Sequence, residues 1–235
     1  MGGKSLAKTH QAPNNNGSSQ SCPANPSPPS PRYLSAATQP TYDLRALRRL
    51  LVILDPSAIA YRNVNSHGQG STVERPGLSR FLQYLLTKHS VVIWTDSTKE
   101  NITPVLDDIF FDWQTRLAAV QTREDFPGNA HPLFNVASAL IIKDLSRVWE
   151  LPEIQADAVK NNQGKAWDAT NTVLIDDSIT KAVSQPRNLI EVQAFNGVAQ
   201  AGDMALDGVL RKVHWCSGFE DVRPLLRELK EKEQN

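Results

Sequence analysis

Three short runs of unbroken apolar residues, each stopping abruptly at polar groups, constrain this chain most. They are Leu51-Val52-Ile53-Leu54 before Asp55-Pro56-Ser57, Val91-Val92-Ile93-Trp94 before Thr95-Asp96-Ser97, and Val173-Leu174-Ile175 before Asp176-Asp177-Ser178. A strand with one wet face alternates apolar and polar residues; an unbroken run is buried on both faces, as in a parallel sheet covered by helices on each side. The intervening segments supply those helices. After Arg75-Pro76-Gly77, residues Leu78, Phe81, Leu82, Leu85 and Leu86 share one helical face, with Pro76 suited to the first turn. Ser97 and Glu100 have capping-box spacing ahead of Ile102, Val105, Leu106 and Ile109, and Pro104 must fall near the first turns of that helix or kink it. Leu189-Ile190-Glu191-Val192 reads as an outer strand, and Leu206 to Val213 and Val222 to Leu229 as two closing helices. Strand and helix alternating in this order predict an α/β fold with right-handed crossovers.

The domain is expected to begin near Tyr42, where an Asn-, Ser- and Pro-rich stretch gives way to Leu44, Leu47 and Leu50. Residues 1–42 read as a disordered tail, 43–229 as the domain and 230–235 as a charged, fraying end. Met1 to Tyr42 holds no acidic residue, the balance of a mitochondrial presequence, but the Arg-rich amphipathic helix of such a leader is missing. The opening Met1-Gly2-Gly3 resembles a myristoylation signal and fails it at Leu6, where Ser or Thr is required. The 25 basic and 25 acidic residues cancel, which argues against nucleic acid as the partner. No apolar run reaches the roughly 20 residues of a membrane span. Cys22 and Cys216 stand apart with no CxxC, so a reducing intracellular setting is expected, cytoplasm or nucleus by default.

In open parallel sheets ligands bind beyond the carboxyl ends of the strands. Asp55 and Ser57, Thr95 and Ser97, and Asp176 and Asp177 would converge there if their strands are neighbours. Carboxylates and hydroxyls on one rim suit a hard cation such as Mg²⁺ and a phosphate bound to it. The same residue types are also ordinary turn and capping residues. His67, His89, His131 and His214 have no ligand spacing and read as structural or surface residues.

Taken in order, Leu51 to Asp55, Arg75-Pro76-Gly77, Val92 to Ser97, Lys143-Asp144-Leu145-Ser146 and Leu174 to Ser178 resemble the motifs of the NLI-interacting-factor-like phosphatases. These form the small-CTD-phosphatase branch of the haloacid dehalogenase superfamily, and the resemblance runs from about Arg49 to about Phe195. It implies a Rossmann-like haloacid dehalogenase fold with a small insertion near the site, here residues 111–140, in which Trp113 and Phe126 either line a peptide groove or pack as core or lid. It further implies that Asp55 is the nucleophile that would form an aspartyl phosphate. Thr95, or else Ser97, would hold a phosphoryl oxygen, and Lys143 would neutralise the nucleophile and the transferred phosphate. Metal ligation would fall to Asp55, Asp176, Asp177 and the main-chain carbonyl of Ser57. The family's first motif reads Asp-x-Asp-x-Thr, whereas this chain has Asp55-Pro56-Ser57-Ala58-Ile59. Ser57 therefore stands where a second carboxylate would act as acid and base, and a positioned acid/base is worth about 10²–10⁴-fold in rate. Pro56 also holds Asp55 extended, which restricts how the loop can wrap a metal.

Three functions are compatible with these residues. The first is a degenerate phosphatase domain that acts by binding a protein partner or phosphopeptide-like segment, with Mg²⁺ weak or absent. The second is a subunit of the mitochondrial inner-membrane presequence translocase, whose Tim receptor shares the domain; that would place the chain in the mitochondrion. The third is a weak Mg²⁺-dependent, aspartate-based protein serine/threonine phosphatase in which Asp96 or another nearby carboxylate replaces the missing acid. The oligomeric state is left open.

Overall fold

The computed structural model of this chain describes residues 28–64, 70–110, 112–125 and 141–233. Strands are β1 (Leu51–Leu54), β2 (Ala60–Val64), β3 (Gly70–Glu74), β4 (Ser90–Trp94), β5 (Ala119–Gln121), β6 (Thr172–Asp176) and β7 (Leu189–Glu191). Helices are α1 (Pro31–Ala36), α2 (Leu78–Lys88), α3 (Lys99–Ile109), α4 (Trp113–Arg116), α5 (Leu145–Trp149), α6 (Pro152–Asn161), α7 (Ala205–Cys216) and α8 (Val222–Glu233). Five strands form one parallel sheet in the order β5-β4-β1-β6-β7. The chain therefore builds outward from β1 through β4 to β5, then returns to add β6 and β7 on the other side. That reversal puts the crevice for ligands at the carboxyl end of β1.

The unbroken apolar strands are buried on both faces, as their composition requires. Val52, Leu54, Val91, Ile93, Val173 and Ile175 pack into one core with α2, α3, α7 and α8. Leu51, Ile53, Val92, Trp94 and Leu174 point the other way, onto Leu145, Val148, Ile154 and Trp167. Burying side chains of this size contributes about 1.5–3 kcal/mol each, so the short central strand, fully buried along its length, anchors both layers.

Several boundaries differ from the sequence expectation. Residues 31–37 are not a free tail: Tyr33 is buried, its hydroxyl donates to Asn188 Oδ1 (2.9 Å) and accepts from the Arg187 amide (2.8 Å), and the Arg223 guanidinium lies over its ring. Tyr33 with its two hydrogen bonds, together with buried Ala37, holds this segment. Helix α8 continues to Glu233, which pairs with Lys212, so Lys230–Glu233 is helix rather than a frayed end. The cap of α3 is Thr98, whose hydroxyl accepts from the Asn101 amide, and not Ser97. Pro104 lies inside α3 beyond the first turn, and the helix runs on to Ile109. The antiparallel pair β2 and β3 was not foreseen; Thr72 ties it to α3 through Asp108 (2.6 Å). Cys22, His67, Phe126 and His131 lie outside the described residues, as does the side chain of Trp113. No helix among the described residues is long and apolar enough to cross a membrane.

Candidate active site

The register of the sheet assembles the site. Leu54 is level with Ile93 on β4 and Ile175 on β6, so Asp55 emerges beside Asp176, and its amide donates to the Ile175 carbonyl (2.9 Å). Asp55 is extended (φ −80°, ψ 124°), as the following proline demands. Pro56 then opens a 3-10 turn over Pro56–Ala58, and Asp55 caps it by accepting from the Ser57 amide through Oδ1 (2.9 Å). The other oxygen of Asp55 is left to face the interior.

Lys143 is fully buried and its ammonium sits 2.5 Å from both Asp55 Oδ2 and Asp176 Oδ2. Its position is set by its own amide, which donates to the Lys181 carbonyl (2.7 Å), and by Asp144, which caps α5 immediately after it. Thr95 is buried one residue past the end of β4; its hydroxyl oxygen accepts from the Ser97 amide (3.1 Å), which leaves the hydroxyl proton to be donated elsewhere. Asp177 follows Asp176 at the mouth. Asp55, Asp176 and Asp177 each place a carboxylate oxygen within 4.8 Å of the others.

Sequence reasoning missed Lys181. Its ammonium lies 3.1 Å from Asp55 Oδ2, 3.5 Å from Asp176 Oδ1 and 3.1 Å from Asp177 Oδ1. The only sequence signal is a lysine four residues after Asp177, and the turn after β6 is what brings it inward.

Three carboxylates thus share two ammonium groups in a largely buried pocket. Burial alone would raise the pKa of Asp55, but Lys143 and Lys181 outweigh it and hold the carboxyl far below the usual range, so it is ionised as a nucleophile must be. Burial pushes Asp176 upward; Lys143 opposes this, the charge on Asp55 adds to it, and the net shift is up. Burial would lower Lys181, but the charges of Asp55 and Asp176 exceed it and its pKa is raised.

The acid/base position is different. The Ser57 hydroxyl is enclosed and has no hydrogen-bond partner among the described residues, and the Ser57 carbonyl accepts from the Phe195 amide (2.8 Å). Ile59, at the motif's threonine position, is fully buried in the core beneath the loop. Arg75 fastens the loop from behind: Nη1 donates to the carbonyls of Ala58 (3.0 Å) and Gln193 (2.7 Å), and Nε donates to Asp203 (3.0 Å).

The family model for NLI interacting factor-like phosphatases matches residues 47–223, which span this whole arrangement. The chain belongs to that family. An uncharacterised FCP1 homology domain-containing protein of Schizosaccharomyces pombe is 32% identical over 176 residues, covering 71% of this chain and 69% of that protein. A CTD phosphatase-like protein of Invertebrate iridescent virus 3 is 29% identical over 138 residues, covering 57% of this chain and 67% of its own. Among solved structures, fission yeast RNA polymerase II CTD phosphatase Fcp1, bound to beryllium fluoride, aligns with a TM-score of 0.40 at 19% identity, over 70% of this chain and 50% of that one. The chain thus spans about half the length of that solved relative. The Rossmann-like α/β fold of the haloacid dehalogenases, expected from the motifs, is the fold of this phosphatase-family domain.

Whether the residues suit the Mg²⁺ that such phosphatases imply is decided by their donors. Three ionisable oxygens within 4.8 Å of one another have the hard-ligand chemistry that Mg²⁺ takes. Asp55, Asp176 and Asp177 would hold the ion. The Ser57 carbonyl, named as a fourth ligand from the motifs, already accepts the Phe195 amide.

Proposed function

We propose that this domain recognises a phosphorylated protein segment and turns it over slowly or not at all. The observation that carries this reading is the serine at position 57, whose hydroxyl is enclosed and has no partner among the described residues, where the family's chemistry needs a carboxylic acid.

The residues divide the task as follows. Asp55, ionised and fixed by the Ser57 amide that donates to its Oδ1, supplies the carboxylate that would attack phosphorus. Lys143 offsets the phosphoryl charge, and the Thr95 hydroxyl is able to donate to a phosphoryl oxygen. Mg²⁺, when bound by Asp55, Asp176 and Asp177, supplies further neutralisation of that charge. Departure of a serine alkoxide then requires a proton, and a serine hydroxyl at position 57 is far too weak an acid to give one near neutrality. Hydrolysis of any aspartyl phosphate lacks its base for the same reason. Binding is retained while turnover falls by about 10²–10⁴-fold. A phosphoserine-bearing protein segment is the proposed ligand, a choice supported by the phosphatase family to which the chain belongs.

Steady-state hydrolysis of a small aryl phosphate at saturating Mg²⁺ tests this, comparing the chain with Asp55→Asn and Ser57→Asp. The expected result is little or no wild-type turnover and a clear gain in Ser57→Asp. Wild-type turnover equal to that of Ser57→Asp, and abolished by Asp55→Asn, would show that another group does the acid/base work assigned to position 57.

A further inference from the structure

We infer that Lys181 is a built-in cation of this site: its ammonium occupies the place among Asp55, Asp176 and Asp177 that a divalent metal would take, and the metal binds only by displacing it. The geometry is specific. A single nitrogen lies 3.1, 3.5 and 3.1 Å from oxygens of the three carboxylates, and those carboxylates span no more than 4.8 Å. Mg²⁺ needs oxygen ligands at about 2.0–2.1 Å and keeps several waters, so ammonium and hydrated ion do not fit this space together.

Lys143 does not fill the same role, because it is fully enclosed between Asp55 and Asp176 and does not bridge to Asp177. Lys181 comes from the mouth. Its side chain retains 11% exposure, and Asp177 beside it retains 28%, so the ammonium has a route outward that involves no unfolding of the core. Its backbone stays in place meanwhile, since its amide donates to the Ser178 carbonyl (3.1 Å) and its carbonyl accepts the Lys143 amide (2.7 Å). Two states follow: a metal-free rim closed by Lys181, and a metal-loaded rim with Lys181 turned to solvent. Metal affinity is lowered by the fraction of rim that Lys181 occupies.

This inference depends on the rim being a metal and phosphoryl site but not on turnover, so its test reads metal binding directly. Calorimetric titration of the intact chain with Mn²⁺ and Mg²⁺ is compared with Lys181→Met, which keeps the length of the side chain and removes its charge. The variant is expected to bind both ions at least about tenfold more tightly, since the ion no longer has to break a buried ion pair. Equal affinity in the two chains would overturn the inference. Should Lys181→Met fail to fold, amine-reactive labelling of the wild type read by mass spectrometry gives an independent answer. Lys181 is expected to be protected without metal relative to exposed Lys160 and to become reactive as Mn²⁺ is added. Labelling of metal-free Lys181 as fast as Lys160, or continued protection once metal is bound, would refute it. A loss of phosphatase chemistry alone would change neither readout.

Discussion

Replacing Lys143 with methionine is the sharpest perturbation of the buried charges. The wild-type ammonium lies 2.5 Å from a carboxylate on either side, with Lys143 and Asp176 fully buried and Asp55 nearly so. Methionine fills similar volume, so the main loss is electrostatic. Asp55 keeps the Ser57 amide at 2.9 Å and Lys181 at 3.1 Å, while Asp176 keeps the Ser178 amide at 3.0 Å and Lys181 at 3.5 Å. Breaking a buried ion pair from one side costs about 3–5 kcal/mol; with these partners remaining, the lower end, about 3 kcal/mol, is expected. That is a large share of the roughly 5–15 kcal/mol that stabilises a typical domain. Urea unfolding gives the value, and pH provides its control. Asp176 is already raised by burial, and loss of Lys143 raises it further. Its folded-state pKa then lies well above its unfolded one, so stability is recovered as pH falls and Asp176 takes up a proton. The penalty should therefore be larger at about pH 8 than at about pH 5.5. Adding Asp176→Asn should restore about 1 kcal/mol or more, a coupling expected of groups in direct contact. A penalty below about 1 kcal/mol, unchanged with pH, would refute the placement of Lys143 between two charged carboxylates.

His89 and Tyr33 supply two further tests. Burial, reinforced by Arg49, lowers the pKa of His89 to about 4, while its Nδ1 accepts the Leu50 amide and its Nε2 has no partner among the described residues. The unfolded chain takes a proton near pH 6.5 that the folded chain refuses, so stability present above that pH is lost toward pH 4, by about 2 kcal/mol at pH 5. In His89→Asn, which keeps an acceptor, the difference should vanish in urea titrations across that window, and a persistent acid slope would contradict it. Tyr33→Phe strands Asn188 Oδ1 and the Arg187 amide; a loss of about 1–3 kcal/mol is expected, and no change in the unfolding midpoint would show that α1 is not held as described.

The apolar runs of β1, β4 and β6 made the parallel sheet legible, because three or four successive apolar residues bounded by polar ones have the length and flanks of a strand buried on both faces. The same runs placed Asp55, Thr95 and Asp176 on one rim, since the polar residue after each run is the next step of its strand. Lys143 was legible only through the order of motifs; its own neighbours do not distinguish it from a surface lysine. Lys181 showed in the sequence only as a lysine four residues after Asp177, and its inward direction is produced by the turn after β6 and by the hydrogen bond from the distant Lys143 amide to its carbonyl. The pair β2 and β3 went unseen because Arg62-Asn63 and Gly70-Ser71-Thr72 carry no apolar alternation; its pairing comes from the register of the two strands and from Asp108 on α3. Tyr33 shows the converse, a residue docking a segment whose overall composition reads as unstructured.

The absence of a proton carrier at position 57 is tested most directly by the dependence of turnover on the leaving group. Release of nitrophenolate from a nitrophenyl phosphate and of the dephosphorylated serine from a phosphoserine peptide is measured in the first turnover, before the aspartyl phosphate must be hydrolysed, for the chain and for Ser57→Asp at saturating Mg²⁺. A nitrophenolate leaves without help from an acid, whereas a serine alkoxide does not. The account predicts a modest gain in Ser57→Asp for the aryl ester and a gain of about 10²–10⁴-fold for the phosphoserine peptide. Equal rates on phosphoserine in the two chains, both lost in Asp55→Asn, would contradict it.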